Sequence, residues 1–203
     1  MLYEISELID DEILSLNRNV VIGITGPTGV GKSWLTRKLS KLLGGVVCIS
    51  SDAYLPNNPL LRKKYIDLDP YVDYGELERD IIKFLKGDFI HTKLYCHKSR
   101  KVKIQDSSNK RIMIVEGSLI SCFVNPELFD LTVFLQPQLG SENELFIDTS
   151  TKRDYSQEKK ESMSVDCIKN YKNHMETLKK NADIIIEIGR NRAWLNVKNF
   201  KDK

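Results

Sequence analysis

Val20-Val21-Ile22-Gly23-Ile24-Thr25 runs straight into Gly26-Pro27-Thr28-Gly29-Val30-Gly31-Lys32-Ser33, an apolar stretch followed by the spacing G-x-x-x-x-G-K-[ST]. The apolar run reads as a buried strand, and Leu35, Leu39, Leu42 and Leu43 beyond it mark one face of a helix. Strand, glycine-rich loop and helix together form a cradle for a nucleoside triphosphate. Gly26, Gly29 and Gly31 let main-chain N–H groups curl around phosphate oxygens with no Cβ in the way. Lys32 is placed to reach the β- and γ-phosphates, Ser33 to offer its hydroxyl to Mg²⁺, and the helix points its positive end at the anion. Gly26, Pro27, Thr28, Gly29, Val30, Gly31, Lys32, Ser33 and Trp34 are therefore the expected nucleotide-binding set. The loop by itself does not separate a kinase from a GTPase, a motor or a group transferase, so function depends on what converges on it.

Length and composition narrow the partners. A chain of 203 residues with 41% hydrophobic and 29% charged residues reads as one domain, 1–203, built on a single core. A net charge of +3 is too small for a polynucleotide surface, and the lysines at Lys98 to Lys103 and at Lys159-Lys160 read as solvated faces. Cys48, Cys96, Cys122 and Cys167 form no C-x-x-C pair, which argues against a zinc site or redox couple and fits reduced thiols in a cytoplasmic protein. Met1 to Asp10 lack the basic start and long apolar stretch of a signal peptide, and no segment approaches membrane-spanning length. The expected partner is a small molecule.

Ile5, Leu8, Ile9, Ile13 and Leu16 predict an amphipathic helix over 4–16, within an N-terminal segment 1–18. The helix after the phosphate loop stops at Gly44-Gly45, and Val46 to Ile49 form a second strand that empties into Ser50-Ser51-Asp52-Ala53-Tyr54. Asp73-Tyr74-Gly75-Glu76 reads as a reciprocal N-cap, opening a helix with Leu77, Ile81, Phe84 and Leu85 on its apolar face and Gly87 at its end. Residues 89–95 and 101–105 suggest a small β-hairpin insertion, and Ile112 to Val115, Leu131 to Leu135 and Asp183 to Glu187 are further short strands. Between the last two, Ile168, Tyr171, Met175 and Leu178 share a helical face. The pattern predicts a three-layer α/β fold, a five-stranded, mainly parallel sheet with helices on both faces. Ligands in such folds sit at the carboxyl ends of the strands, where the loops at Gly26, Asp52 and Glu116 would meet.

Ser50-Ser51-Asp52-Ala53-Tyr54, Ile114-Val115-Glu116-Gly117-Ser118, Leu94-Tyr95-Cys96-His97-Lys98-Ser99-Arg100 and Asn181-Ala182-Asp183-Ile184-Ile185-Ile186, taken with the loop, resemble the uridine kinase-like family of P-loop small-molecule kinases, over residues 20 to 188. The resemblance implies ATP and Mg²⁺ as cofactors, a helical lid over 141–160 and, by analogy, a homo-oligomer. It implies that Asp52 accepts the proton of the attacking hydroxyl, and that Glu116 acts on Mg²⁺ beside Ser33 and borders the acceptor. Tyr65-Ile66-Asp67-Leu68-Asp69-Pro70 is similar to the family's acceptor-holding segment, with Asp67 and Asp69 both candidates. Tyr95, His97 and Arg100 fall where relatives wall in a nucleobase, and Tyr54 joins the same acceptor set. The implied reaction is phosphorylation of a nucleoside such as uridine or cytidine.

The lid departs from the family. Thr151-Lys152-Arg153-Asp154-Tyr155-Ser156-Gln157-Glu158-Lys159-Lys160 matches the start of the family's R-D-x-x-x-R-G through Arg153 and Asp154 but lacks the later arginine. Lys152, Lys159 and Lys160 offer point charges without a guanidinium's planar fork, so "kinase" is read more firmly than "uridine". A kinase of another small alcohol (pantothenate, glycerate or a sugar phosphate) is one alternative. A P-loop isopentenyltransferase is another, although its Gly-Thr-rich segment has no counterpart around Leu55 to Leu61. A regulatory GTPase is a third, prompted by Thr151-Lys152-Arg153-Asp154 and opposed by the Glu116-Gly117 ending of the third core strand.

Overall fold

In the computed structural model, which describes residues 16–56, 71–88, 91–96, 101–153 and 156–199, strand β1 (Val20–Thr25) is buried at all 6 positions. It lies inside a 6-stranded sheet of order β2-β5-β1-β6-β7-β8, where β2 is Val46–Ser50, β5 Ile112–Gly117, β6 Leu131–Pro137, β7 Ile184–Ile188 and β8 Trp194–Asn199. All neighbours are parallel except β7 and β8. Parallel neighbours require crossovers, and helices supply them: α1 (Lys32–Leu43), α2 (Tyr74–Leu85), the single turn α3 (Ile120–Phe123), α4 (Glu142–Lys152) and α5 (Gln157–Lys180).

Alternate residues of each central strand feed different cores. Ile22, Ile24, Ile114 and Val133 pack with Leu35 and Leu39 of α1, whereas Val21, Met113 and Val115 pack with Leu77, Ile81 and Phe84 of α2. Tyr171 and Leu178 of α5 cover Phe134 and Ile185. This is why the strands are apolar throughout rather than alternating in polarity. Three layers follow. No helix among the described residues is long and apolar enough to cross a membrane.

The hairpin is β3 (His91–Cys96) with β4 (Lys101–Asp106), antiparallel and tied to the main sheet where the Gln105 side-chain amide donates to the Cys48 carbonyl. Three details differ from the sequence reading. The sheet has one strand more than expected: β8 returns along β7 through a tight turn in which the Gly189 N–H donates to the Ala193 carbonyl, and its mixed sequence, with Trp194 and Val197 half-buried against the core and Leu195, Asn196 and Lys198 exposed, lacks the continuous apolar run of the other strands. Asp73 caps α2 by accepting from the Glu76 N–H at 2.7 Å, but the Glu76 carboxylate pairs with Lys93 of β3, so a tertiary ion pair occupies the group expected to cap in return. The helix anticipated over 4–16 lies outside the described residues up to Leu16.

Candidate active site

Strand register brings the site together. Ile24 and Ser50 both stand opposite Glu116, and Thr25 stands opposite Gly117. β1, β2 and β5 therefore end at one level, and the phosphate loop, the short 3₁₀ turn Ser51–Tyr54 and the Glu116-Gly117-Ser118 corner leave the sheet side by side. Gly117 permits the closeness: a Cβ there would stand 2.3 Å from Ser51 Oγ and 2.5 Å from Ile120 Cγ2. The turn carrying Asp52 is seated directly on the end of β5.

The loop is built to receive an anion. Gly31, at φ 108°, caps α1 without a side-chain bond, and the first turn carries no acidic residue of its own. The Lys32 ammonium donates to the carbonyls of Gly26 at 2.7 Å and Pro27 at 3.0 Å, holding the near side of the loop. Gly29 has φ +93°, and a Cβ on it would meet the Leu145 carbonyl at 2.3 Å, so α4 rests on the loop's outer side. Thr25 and Ser118 complete the frame: the Thr25 hydroxyl donates to the Ser118 carbonyl at 3.0 Å, and Lys32 reaches Ser118 Oγ at 3.4 Å. Sequence reasoning assigned neither a role. Ser118 follows the expected strand-end glutamate, and that adjacency was the available signal.

The Ser33 hydroxyl lies 2.9 Å and 3.0 Å from the two oxygens of the Glu116 carboxylate. Burial pushes the Glu116 carboxyl upward; Lys32 and the Ser33 bond draw it down, Asp52 pushes it up, and Arg153 draws it down. Those influences put Asp52, Lys32 and Arg153 within electrostatic reach of Glu116, bringing together residues far apart in the chain. Arg153 ends α4, its N–H donating to the Thr149 carbonyl at 3.1 Å. A hydroxyl and a buried carboxylate are hard oxygen donors that suit Mg²⁺, which keeps several waters and takes its other ligands from phosphates. Among the described residues there is no group of three or more His, Cys, Asp or Glu that could hold a metal ion.

Tyr54 is 3% exposed, and its hydroxyl donates to Asp80 Oδ2 at 2.7 Å. Burial and then Asp80 hold the phenol far above the ordinary tyrosine range. Its polar end thus anchors α2, and its ring is packed in the core with Leu77 and Ile81. Tyr54 also lines a cavity of about 380 Å³ with Tyr71, Asp73 and Tyr74. Tyr95 is half-buried in β3 against the same core. Trp34, 44% exposed, meets Trp194 edge-on at 6.1 Å between ring centroids. Asp67, Asp69, His97, Arg100 and Asp154 lie outside the described residues. Thr151 and Lys152 are the last turn of α4, a helical position unlike the strand-following loop of a guanine-reading motif.

Inorganic pyrophosphatase TTM2 of Arabidopsis thaliana is 28% identical over 101 residues, 48% of this chain and 15% of that protein. Uridine-cytidine kinase C of Dictyostelium discoideum is 26% identical over 106 residues, 48% of this chain and 22% of that protein. The matched stretch is thus less than a quarter of either curated relative. The solved D-glycerate 3-kinase of Cryptococcus neoformans superposes with a TM-score of 0.69 at 14% identity, covering 98% of this chain and 99% of that one, and so shares the fold. The sequence pattern of the Phosphoribulokinase / Uridine kinase family matches residues 21–194, a span that contains the phosphate loop, Asp52, Glu116 and Arg153, and the protein belongs to that family.

Proposed function

We propose that this protein is a kinase that transfers the γ-phosphoryl group of ATP to a hydroxyl of a small metabolite. The observation that carries the reading is the bond between Ser33 and Glu116, made within the electrostatic reach of Asp52, Lys32 and Arg153. The two carboxylates take different tasks. Glu116 is buried and engaged by Ser33, and that pair would hold Mg²⁺, which when bound neutralises charge on the phosphates. Asp52, the one partly exposed residue of the otherwise buried turn beside it, is the base. An acceptor oxygen attacks the γ-phosphorus, the bond from that phosphorus to the β–γ bridging oxygen breaks, ADP leaves, and the hydroxyl proton passes to Asp52. Lys32 and the loop amides orient the phosphates, and Arg153 supplies positive charge over the transferred group, whereas Lys152 is paired with Asp148.

The acceptor reading is a pyrimidine nucleoside. The cavity lined by Tyr54 at the end of the Asp52 turn falls in the size range of small-ligand sites, and half-buried Tyr71 on its wall is the aromatic side chain that can meet a flat base. A different small alcohol is the second reading, favoured by the lid's missing arginine. The test is acceptor-dependent ADP release by the purified chain with ATP and Mg²⁺, screened over uridine, cytidine, D-glycerate, pantothenate and simple sugars. Asp52→Asn should lower turnover by roughly 10²–10⁴-fold with ATP still bound. No turnover with any acceptor, or near-normal turnover of Asp52→Asn, refutes the assignment.

A further inference from the structure

The turn joining β7 to β8 holds an arginine whose bonds the phosphate site does not account for. Arg192 adopts φ 60°, a left-handed conformation costly for a residue with a Cβ. The turn secures it there: the Arg192 N–H donates to the Gly189 carbonyl at 2.8 Å, the Gly189 N–H to the Ala193 carbonyl at 2.8 Å, and the Ala193 N–H to the Asn191 side chain at 3.0 Å. From this fixed base the guanidinium reaches two other parts of the molecule. Its Nε donates to the Gly29 carbonyl of the phosphate loop at 3.2 Å. Its terminal nitrogen donates to the Thr149 hydroxyl at 2.7 Å and pairs with Asp148 at 2.6 Å, both on α4.

We infer that Arg192 is a positioning residue that holds the phosphate loop and Arg153 in mutual register for a bound triphosphate, through its bonds to the Gly29 carbonyl and to the Asp148-Thr149 step of α4. In a trans peptide the carbonyl and the next N–H point in opposite directions. With the Gly29 carbonyl turned outward to Arg192, the Val30 N–H turns into the loop, where its bond to the Pro27 carbonyl is a long 3.4 Å that a phosphate oxygen can replace. On the other side, Thr149 receives Arg192 on its hydroxyl and the Arg153 N–H on its carbonyl, so one residue links the strut to the lid cation. A lysine at position 192 would keep a charge for Asp148 but lack the fork that spans loop and helix.

The inference rests on the kinase reading, and nucleotide binding separates the two. The wild-type chain, Arg192→Ala, Arg192→Lys, Thr149→Val and the double variant Arg192→Ala/Thr149→Val are titrated with ATP–Mg²⁺ by calorimetry and assayed for turnover. Arg192→Ala should weaken ATP binding about tenfold and lower kcat by a similar factor with the acceptor KM unchanged, and Arg192→Lys should restore only part. Thr149→Val should act in the same direction more weakly, and the double variant should equal Arg192→Ala, because one strut is removed either way. Arg190→Ala, which breaks the exposed Arg190–Glu144 pair on the same turn, should bind ATP as wild type does. Wild-type ATP affinity in Arg192→Ala, independent multiplicative losses in the double variant, or an equal loss in Arg190→Ala overturns the inference and leaves the kinase reading standing. Failure of the wild type to bind ATP overturns both, while tenfold weaker binding by Arg192→Ala without turnover on any acceptor sustains the strut and removes the kinase.

Discussion

Gly117→Ala isolates positioning from chemistry, because it adds one methyl group between the two loops that carry the carboxylates. Gly117 is absent from the glycines with positive φ, so alanine meets no backbone penalty and the whole effect is spatial. The new Cβ would lie 2.3 Å from Ser51 Oγ, 2.5 Å from Ile120 Cγ2 and 2.8 Å from Ser51 Cβ. Rotating Ser51 removes the first clash and not the third, so the Ser51–Tyr54 turn must retreat by roughly half to one ångström before ordinary carbon contacts return. Overpacking of this kind costs about 1–3 kcal/mol, a fall in Tm of roughly 2–12 °C for a chain of this length. A shift near 1 Å in a catalytic base costs about 10²-fold in rate. The phosphate loop is untouched, so ATP affinity should hold while kcat falls by that factor. Ser51→Gly, which deletes both Ser51 atoms in the clash, should recover part of the rate when combined with Gly117→Ala. Turnover of Gly117→Ala within about threefold of wild type, with folding intact, refutes the claim that the Asp52 turn is held against β5 for catalysis.

Lys32→Ala removes the ammonium that grips the Gly26 and Pro27 carbonyls; ATP binding should weaken by at least ~10²-fold in calorimetry and turnover should vanish, both results of losing a charge-assisted phosphate contact. Glu116→Gln should lose Mg²⁺-dependent activity yet raise Tm. Its carboxyl is held above the ordinary range chiefly by burial, so the wild-type fold loses stability as pH climbs from the unfolded carboxyl's pKa through the raised folded one. The variant escapes that loss: its advantage should be near zero at the acid end and grow as pH climbs through the folded pKa, read as thermal melts across pH. Tyr54→Phe deletes the 2.7 Å bond to Asp80 and should lower stability by about 1 kcal/mol with kcat nearly unchanged, which chemical denaturation and the turnover assay check together.

The phosphate loop was legible because its chemistry is local: spacing alone places glycines, lysine and serine at the head of one helix. The ends of α1 and α2 were legible for the same reason, with Gly44 at φ 62° and Asp73 bonding the Glu76 N–H three residues on. Where side chains answered to distant partners, local reading failed. Glu76 left its capping role for Lys93, Tyr54 turned its hydroxyl to Asp80, and β8 formed because β7 offered an edge to pair with. Arg192 carries no motif at all; only the path of the β7–β8 turn brings it to Gly29 and Thr149.

From its residues alone this chain is committed to a nucleotide cradle on a parallel α/β sheet, since apolar runs covered on both faces and a glycine-rich turn leave few other arrangements. The meeting of Ser33 with Glu116, and the approach of Asp52 and Arg153 to that pair, belong to the tertiary structure. Strand order β2-β5-β1 and the register that sets Ser50 and Ile24 opposite Glu116 bring these residues together. Such pairing depends on hydrogen bonds between segments tens of residues apart, and no local pattern of side chains encodes it.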